Sequence, residues 1–369
     1  MDCRAALTMT AMNLPTGRHI VCFWKQNDLG LFGRRPDRWI AQWEQDPDVE
    51  RVLVFEAPVA PALLQQWLHL STTLDSTSAS EFKLMLNQWL SKHLGQCNTA
   101  KVHYKSYLAP EGENVAGTGY LRWVLQQVQL AKLVAPTLVL WPACFVNPAL
   151  IQAIGPRSVV VDLVDDQRLF PGNESQVASI TAQYRSFIGL ADRLMSNSLG
   201  LMASFEAEFA HPIEHVPNMA LPMMPNLQVA SPALLAKARA LKLRPVVGYV
   251  GNMRGRMDTP TLLAAMARHP EWDFWYVGQT QSSAFYQAAR QVPNCHFWGA
   301  LAQVDAHAVM AQFDVALIPF TKDALVNSMS PIKADSYRQA NLPVVSLLEM
   351  NPDQFDQAMV AAFTNSKIC

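Results

Sequence analysis

Asp314-Val315-Ala316-Leu317-Ile318-Pro319-Phe320, followed after a loop by Ser330-Pro331-Ile332-Lys333, reads as an apolar strand and then the first turn of a helix. Ser330 is a good N-cap and Pro331 suits the first helical position. The amides of Ile332, Lys333 and Ala334 would then point out of a positive helix end that attracts phosphate. Asn341 is expected to take the left-handed conformation after the helix, and Pro343 blocks a further turn before Val344-Val345-Ser346. Taken alone, the tetrapeptide also fits an ordinary capped helix.

The same rhythm runs outward from this stretch. Strands are expected at 246–250, 273–277, 295–298, 314–320 and 343–347, with helices at 259–268, 282–291, 304–312 and 331–340 between them. Short apolar strands alternating with helices require a parallel sheet covered on both faces. The first half repeats the pattern less evenly, with strands at 19–24, 51–55, 101–106, 137–141, 158–161, 193–196 and 214–216. Helices are clearest at 38–44, 81–94, 120–133 and 148–154. The polar segment Leu70 to Ser80, rich in serine and threonine, reads as a loop. The expected fold class is therefore α/β, with two Rossmann-like parallel-sheet domains facing across a cleft. Their boundaries are 1–225 and 245–369, joined by a proline-rich linker and a short basic helix over 226–244.

The 369 residues are 50% hydrophobic and 16% charged, which suits two globular cores. A formal net charge of −1 gives no bulk attraction for nucleic acid, which is not expected as a partner. The six cysteines include no CxxC pair, and Cys22, Cys144 and Cys295 are expected in strands as small hydrophobes. That usage fits a reducing cytoplasm. The first residues show no adequate signal-peptide core, and no window is apolar enough for a membrane span.

In open parallel sheets ligands bind beyond the carboxyl ends of strands, so each candidate site should follow one. Gly251-Asn252-Met253-Arg254-Gly255-Arg256 does so, with glycines for close backbone approach and two arginines able to grip an anion. GxGxxG is missing, and Val277-Gly278-Gln279 offers no ribose-binding acid, so a nicotinamide dinucleotide is not expected. Asp165 and Asp166 follow another strand and form the best acidic pair for acceptor chemistry, although helix capping would explain one of them equally well. The loop Asn27 to Arg35 carries glycines, Phe32 and two arginines, and it suits an acceptor bearing phosphate or lipid. Asp46-Pro47-Asp48 precedes a strand and reads as a turn, so no metal site is expected.

Several of these pieces, in order, resemble the large retaining family of GT-B glycosyltransferases that includes many bacterial envelope and exopolysaccharide enzymes. Val247-Gly248-Tyr249-Val250-Gly251 looks like that family's opening strand and glycine turn, and Ser330-Pro331-Ile332-Lys333 like its Ser-Pro-Leu-Lys element. Val160 to Asp166, Ala191-Asp192 through Ser198, Val216-Pro217-Asn218 and Arg35-Pro36 resemble its first-domain motifs. Ser336 stands where the family usually carries a glutamate for the donor ribose, and Met219 and Leu221 also depart from its pattern.

The resemblance implies sugar transfer from a nucleoside diphosphate sugar, as donor substrate, to a hydroxyl of a saccharide or lipid-linked acceptor. No other cofactor or metal is implied. Arg256 and Lys333 would stabilise the departing diphosphate and Asp166 would serve the acceptor. Gly251, Asn252, Arg254, Ser330, Pro331, Ile332, Asp335 and Ser336 would line the donor site. A cytoplasmic enzyme with a peripheral contact at the inner membrane is the matching expectation. A sugar-nucleotide epimerase of the same architecture and a binding protein that has lost turnover are the alternatives.

Overall fold

The computed structural model describes residues 14–114, 117–170, 172–218, 230–330 and 332–366. Pro331, Met219, Leu221 and the first part of the expected linker, 226–229, lie outside the described residues.

The first half contains β1 (His19–Phe23), α1 (Arg35–Gln45), β2 (Arg51–Phe55), α2 (Pro61–Thr73), α3 (Ser76–His93), β3 (Val102–Lys105) and α4 (Thr118–Leu130). It continues with β4 (Thr137–Leu140), α5 (Pro148–Ile154), β5 (Ser158–Leu163), α6 (Val177–Leu190), β6 (Arg193–Ser196), α7 (Leu199–Phe209) and β7 (Glu214–His215). All strands pair in parallel, in the order β3-β2-β1-β4-β5-β6-β7. Side chains alternate across this sheet, so Val21 and Phe23 of β1 enter one core while Ile20 and Cys22 enter the other. Burial on both faces explains the unbroken apolar runs.

After α8 (Pro232–Leu241), the second half contains β8 (Val246–Val250), α9 (Thr259–Arg268), β9 (Asp273–Val277), α10 (Ala284–Ala289), β10 (Cys295–Gly299) and α11 (Gln303–Met310). It ends with β11 (Val315–Ile318), α12 (Ala324–Asn327), α13 (Ile332–Gln339), β12 (Val344–Ser346) and α14 (Pro352–Ser366). Its parallel sheet has the order β10-β9-β8-β11-β12. Gly248 on the central strand faces the Phe313 ring so closely that a Cβ would collide with it. Phe355, Met359 and Phe363 place α14 in this second core, so that helix packs within its own domain.

The expected loop from Leu70 to Ser80 is instead the junction of two helices. Asp75 is the N-cap of α3, accepting from Thr77 N at 3.1 Å and Ser78 N at 3.0 Å. The hydroxyls that suggested a loop bond back to helical carbonyls: Ser71 to Leu68 at 2.7 Å, Thr73 to His69 at 2.9 Å and Ser80 to Thr77 at 2.6 Å. The helices α2, α6, α7 and α12 were not among those read from the sequence. Cys144 is buried in the segment between β4 and α5 and not in a strand.

The start of α3 forms a polar seam with the second domain. Tyr286 donates to Asp75 at 2.9 Å, Ser78 lies 3.2 Å from Thr280, and Ala300 N donates to Ser80 at 2.7 Å. Glu81, 3% exposed, accepts from Gln279 Nε2 and from Arg254, each at 2.8 Å. A buried carboxylate is costly unless charged and hydrogen-bonded partners surround it, and here they come from the other domain.

Candidate active site

A cavity of about 460 Å³ opens between the carboxyl ends of the two sheets. Both sheets present their topological switch points here, β1 beside β4 and β8 beside β11. Adjacent crossovers leave in opposite directions at such a point and so open a crevice.

The second domain supplies one wall. Gly251 follows β8 with φ of +151°, and a Cβ there would lie 2.7 Å from Lys333 Nζ and 2.8 Å from the Tyr249 hydroxyl. Glycine therefore makes room for the lysine. Lys333, near the start of α13, donates to Tyr249 Oη at 3.1 Å and lies over the Tyr249 and Phe320 rings at 4.8 and 4.6 Å. Burial pushes its ammonium well below the usual lysine range, and Arg256 and Arg34 add to that fall. Arg256 sits over Phe320 at 5.8 Å and over Phe170 of the first domain at 5.9 Å. Among the described residues neither cation has a carboxylate within ion-pair distance. The loop is held by Tyr249 donating to Asn252 O at 2.8 Å and Tyr337 accepting from Val250 N at 2.9 Å.

The first domain supplies the other wall from the loops after β1 and β5. Asp165 lines the cavity; burial raises its carboxyl against the opposing pull of Lys25, Arg256, Arg34 and Lys333. Lys25 and Arg34 lie on the same wall. Burial lowers Lys25 to about 8, with Asp165 opposing and Arg34 reinforcing the shift.

Of the residues selected from sequence, Gly251, Asn252, Arg256, Ser330, Ile332, Lys333 and Ser336 meet at this cavity. Arg254 turns away and its guanidinium is held by Glu81 and by the Gln281 carbonyl at 2.7 Å. Asp335 does not line the cavity, and its carboxylate lies 2.8 Å from Arg338. Asp166 does not line the cavity because Arg168 encloses its carboxylate, with Nη2 2.8 Å from Oδ2 and Nε 2.9 Å from Oδ1. Its neighbour Asp165 takes the cavity position. Ser336 accepts from Arg38 of α1 at 3.4 Å, so an arginine from the opposite domain reaches the place where a glutamate was expected. Lys25 escaped sequence reasoning, although its place directly after β1 was a usable signal.

The first-domain motifs converge beneath the cavity. Arg35 makes a two-pronged ion pair with Asp162 at 2.8 and 3.1 Å and donates to Pro217 O at 3.0 Å. Trp141 Nε1 donates to Asp162 at 2.7 Å. Asn218 then crosses the cleft, its amide donating to Ser330 O at 3.1 Å. Asp46-Pro47-Asp48 is a turn, with Asp48 N donating to Asp46 Oδ1 at 2.9 Å.

Solved structures share this two-domain fold across nearly the whole chain. Sucrose-phosphate synthase from Thermosynechococcus elongatus superposes with a TM-score of 0.61 at 12% identity, covering 95% of this chain and 91% of that one. The fold is GT-B. Anabaena HepE, in complex with UDP and glucose, matches this GT-B chain with a TM-score of 0.54 at 16% identity, over 90% of this chain and 80% of its own. In sequence, TuaH of Bacillus subtilis, named for a glycosyltransferase step in teichuronic acid biosynthesis, is 24% identical over 102 residues. That match spans about a quarter of either protein, 27% of this chain and 26% of TuaH. No family model matches. Among the described residues of the GT-B chain, no helix is long and apolar enough to cross a membrane.

Proposed function

We propose that the protein is a glycosyltransferase that moves a sugar from a nucleoside diphosphate sugar to a hydroxyl acceptor in envelope or extracellular polysaccharide synthesis. The observation that carries this reading is the convergence of Arg256 and Lys333 on Phe320, at the carboxyl ends of two strands and without carboxylate partners among the described residues. Two cations on one wall of the cavity suit the negative charge that grows on a departing diphosphate. They would supply this stabilisation from the protein itself, which makes the proposed transfer metal-independent. Glycine at 251 keeps Lys333 at the backbone. Asp165 faces the same space from the acceptor side and is suited to take the acceptor proton or to balance charge at the reacting carbon. The partial likeness to TuaH supports a role in polysaccharide assembly, and HepE, found with UDP and glucose, supports a uridine nucleotide as the first donor to test. A cytoplasmic location beside the inner membrane fits a lipid-linked acceptor.

A competing reading, binding of the donor without turnover, draws on Ser336 and its contact with Arg38 in the corner where a glutamate was expected. Calorimetry with a panel of nucleoside diphosphate sugars tests binding, and Lys333→Ala and Arg256→Ala should weaken it. Absence of binding by every donor overturns the transferase reading. Transfer to a saccharide or lipid-linked acceptor extract then separates turnover from binding alone, and conversion of the donor without acceptor would mark an epimerase.

A further inference from the structure

We propose that Lys25 and Arg34, on the wall opposite Arg256 and Lys333, form a second anion subsite that takes a carboxylate or phosphate on the sugar-accepting molecule. The proposal rests on the glycosyltransferase reading and specifies its acceptor. The cavity carries more positive charge than a donor diphosphate uses. Arg256 and Lys333 serve the diphosphate, which leaves the first-domain cations facing the remaining space with Asp165 as the nearby carboxylate.

Lys25 is half-buried, packs over Trp24 at 5.2 Å, and has no ion-pair partner among the described residues. A partly desolvated ammonium whose nearby carboxylates, Asp165 and Asp28, stay beyond ion-pair distance is unfavourable, and an arriving anion relieves that cost. Arg34 is anchored beside it. One of its terminal nitrogens lies 2.6 Å from Asp28, whose other oxygen accepts from Trp24 Nε1 at 2.8 Å. Arg34 Nε is buried with no acceptor among the described residues, so the guanidinium is incompletely satisfied.

The loop bearing Arg34 is also rigidly built, which an exposed flexible loop would not be. Asp37 accepts from Gly30 N at 2.7 Å and Arg34 N at 2.8 Å. Glu56 accepts from Leu29 N at 3.0 Å and is fixed by the buried Lys92 at 2.7 Å. Preformed, partly desolvated cations bind an anion with little reorganisation. The depressed pKa of Lys25 agrees with this geometry.

The test uses the full chain with UDP and sugar probes. UDP binding, sensitive to Lys333→Ala, examines the parent reading; glucose 1-phosphate against glucose, titrated into UDP-saturated protein, examines the second subsite. The expected result is roughly tenfold tighter binding of glucose 1-phosphate, the size of one charge-assisted contact. Lys25→Met should erase the preference and Lys25→Arg restore it, with UDP binding still detected as the sign of a folded cleft. UDP-glucuronate against UDP-glucose forms a second arm. A Lys25-dependent preference there, without binding of glucose 1-phosphate, places the second anion on the donor sugar and overturns its assignment to the acceptor. If UDP binds but neither arm shows a Lys25-dependent preference, the subsite is overturned while the transferase reading stands; if neither UDP nor any other nucleoside diphosphate of the panel binds, both fall.

Discussion

Nη2 of Arg254 lies 2.8 Å from both carboxylate oxygens of Glu81, joining the glycine loop after β8 to a helix of the other domain. Sequence places Arg254 with the donor, whereas the structure commits it to the seam. Arg254→Ala leaves Glu81 buried with Gln279 as its remaining hydrogen-bond partner and should lower stability by about 1–3 kcal/mol. Urea denaturation measures that loss. UDP affinity of the folded variant should change far less than in Arg256→Ala; an equal loss would return Arg254 to the donor site.

Gly251→Ala should act through Lys333. The added methyl meets both the ammonium and the Tyr249 hydroxyl, and the φ of +151° is unfavourable for alanine. UDP affinity is expected to fall by about tenfold or more, the scale of one displaced charged contact. Calorimetry decides it, and an unchanged affinity would show that Lys333 can move without cost.

The two adjacent aspartates should separate cleanly. Asp165→Asn is expected to lower kcat with little change in melting temperature, because its carboxylate holds no hydrogen bond to the described residues. Asp166→Asn weakens the enclosure by Arg168 and should mainly lower stability, by about 1–3 kcal/mol. Melting curves alongside initial rates distinguish them, and the reverse pattern would return the acceptor role to Asp166.

The pH dependence at Lys25 has a definite sign. Burial brings the folded ammonium down to about 8, below the ordinary value near ~10.4, so folding disfavours its charged form. That cost is present in full below about pH 8 and is relieved as pH rises toward ~10.4. Lys25→Met should therefore melt higher than the parent protein at pH 7, with the gap closing by pH 10. Affinity for an anionic acceptor should fall above about pH 8, as Lys25 loses its proton in the field of Asp165, Asp28 and Arg34. A pH series of melting curves and titrations would show both effects.

Much of the architecture was legible because parallel strands buried on two faces leave continuous apolar runs, as at Val246 to Val250. The left-handed turn expected at Asn341 is present with φ of +54°. Helix α2 and the first turn of α3 were hidden because serine and threonine favour loops unless their hydroxyls find helical carbonyls, and that choice depends on packing. At the site, Arg35 and Asp162 were quoted as parts of separate motifs, yet their side chains share one buried ion pair. No local pattern reveals such a pairing across the sheet.

The sequence by itself determined the two parallel-sheet halves and the strand ends where chemistry can sit, because burial and backbone geometry are written in local periodicity and in glycine, proline and capping residues. Only the tertiary structure decided which charges face the cavity. Arg254 and Arg256 stand two residues apart, as do Asp166 and Arg168, yet one arginine closes a seam while the other borders the cleft, and Asp166 is enclosed while Asp165 is left facing four cations. Those outcomes turn on where each side chain finds a partner or loses water, and both are set by residues distant in the chain.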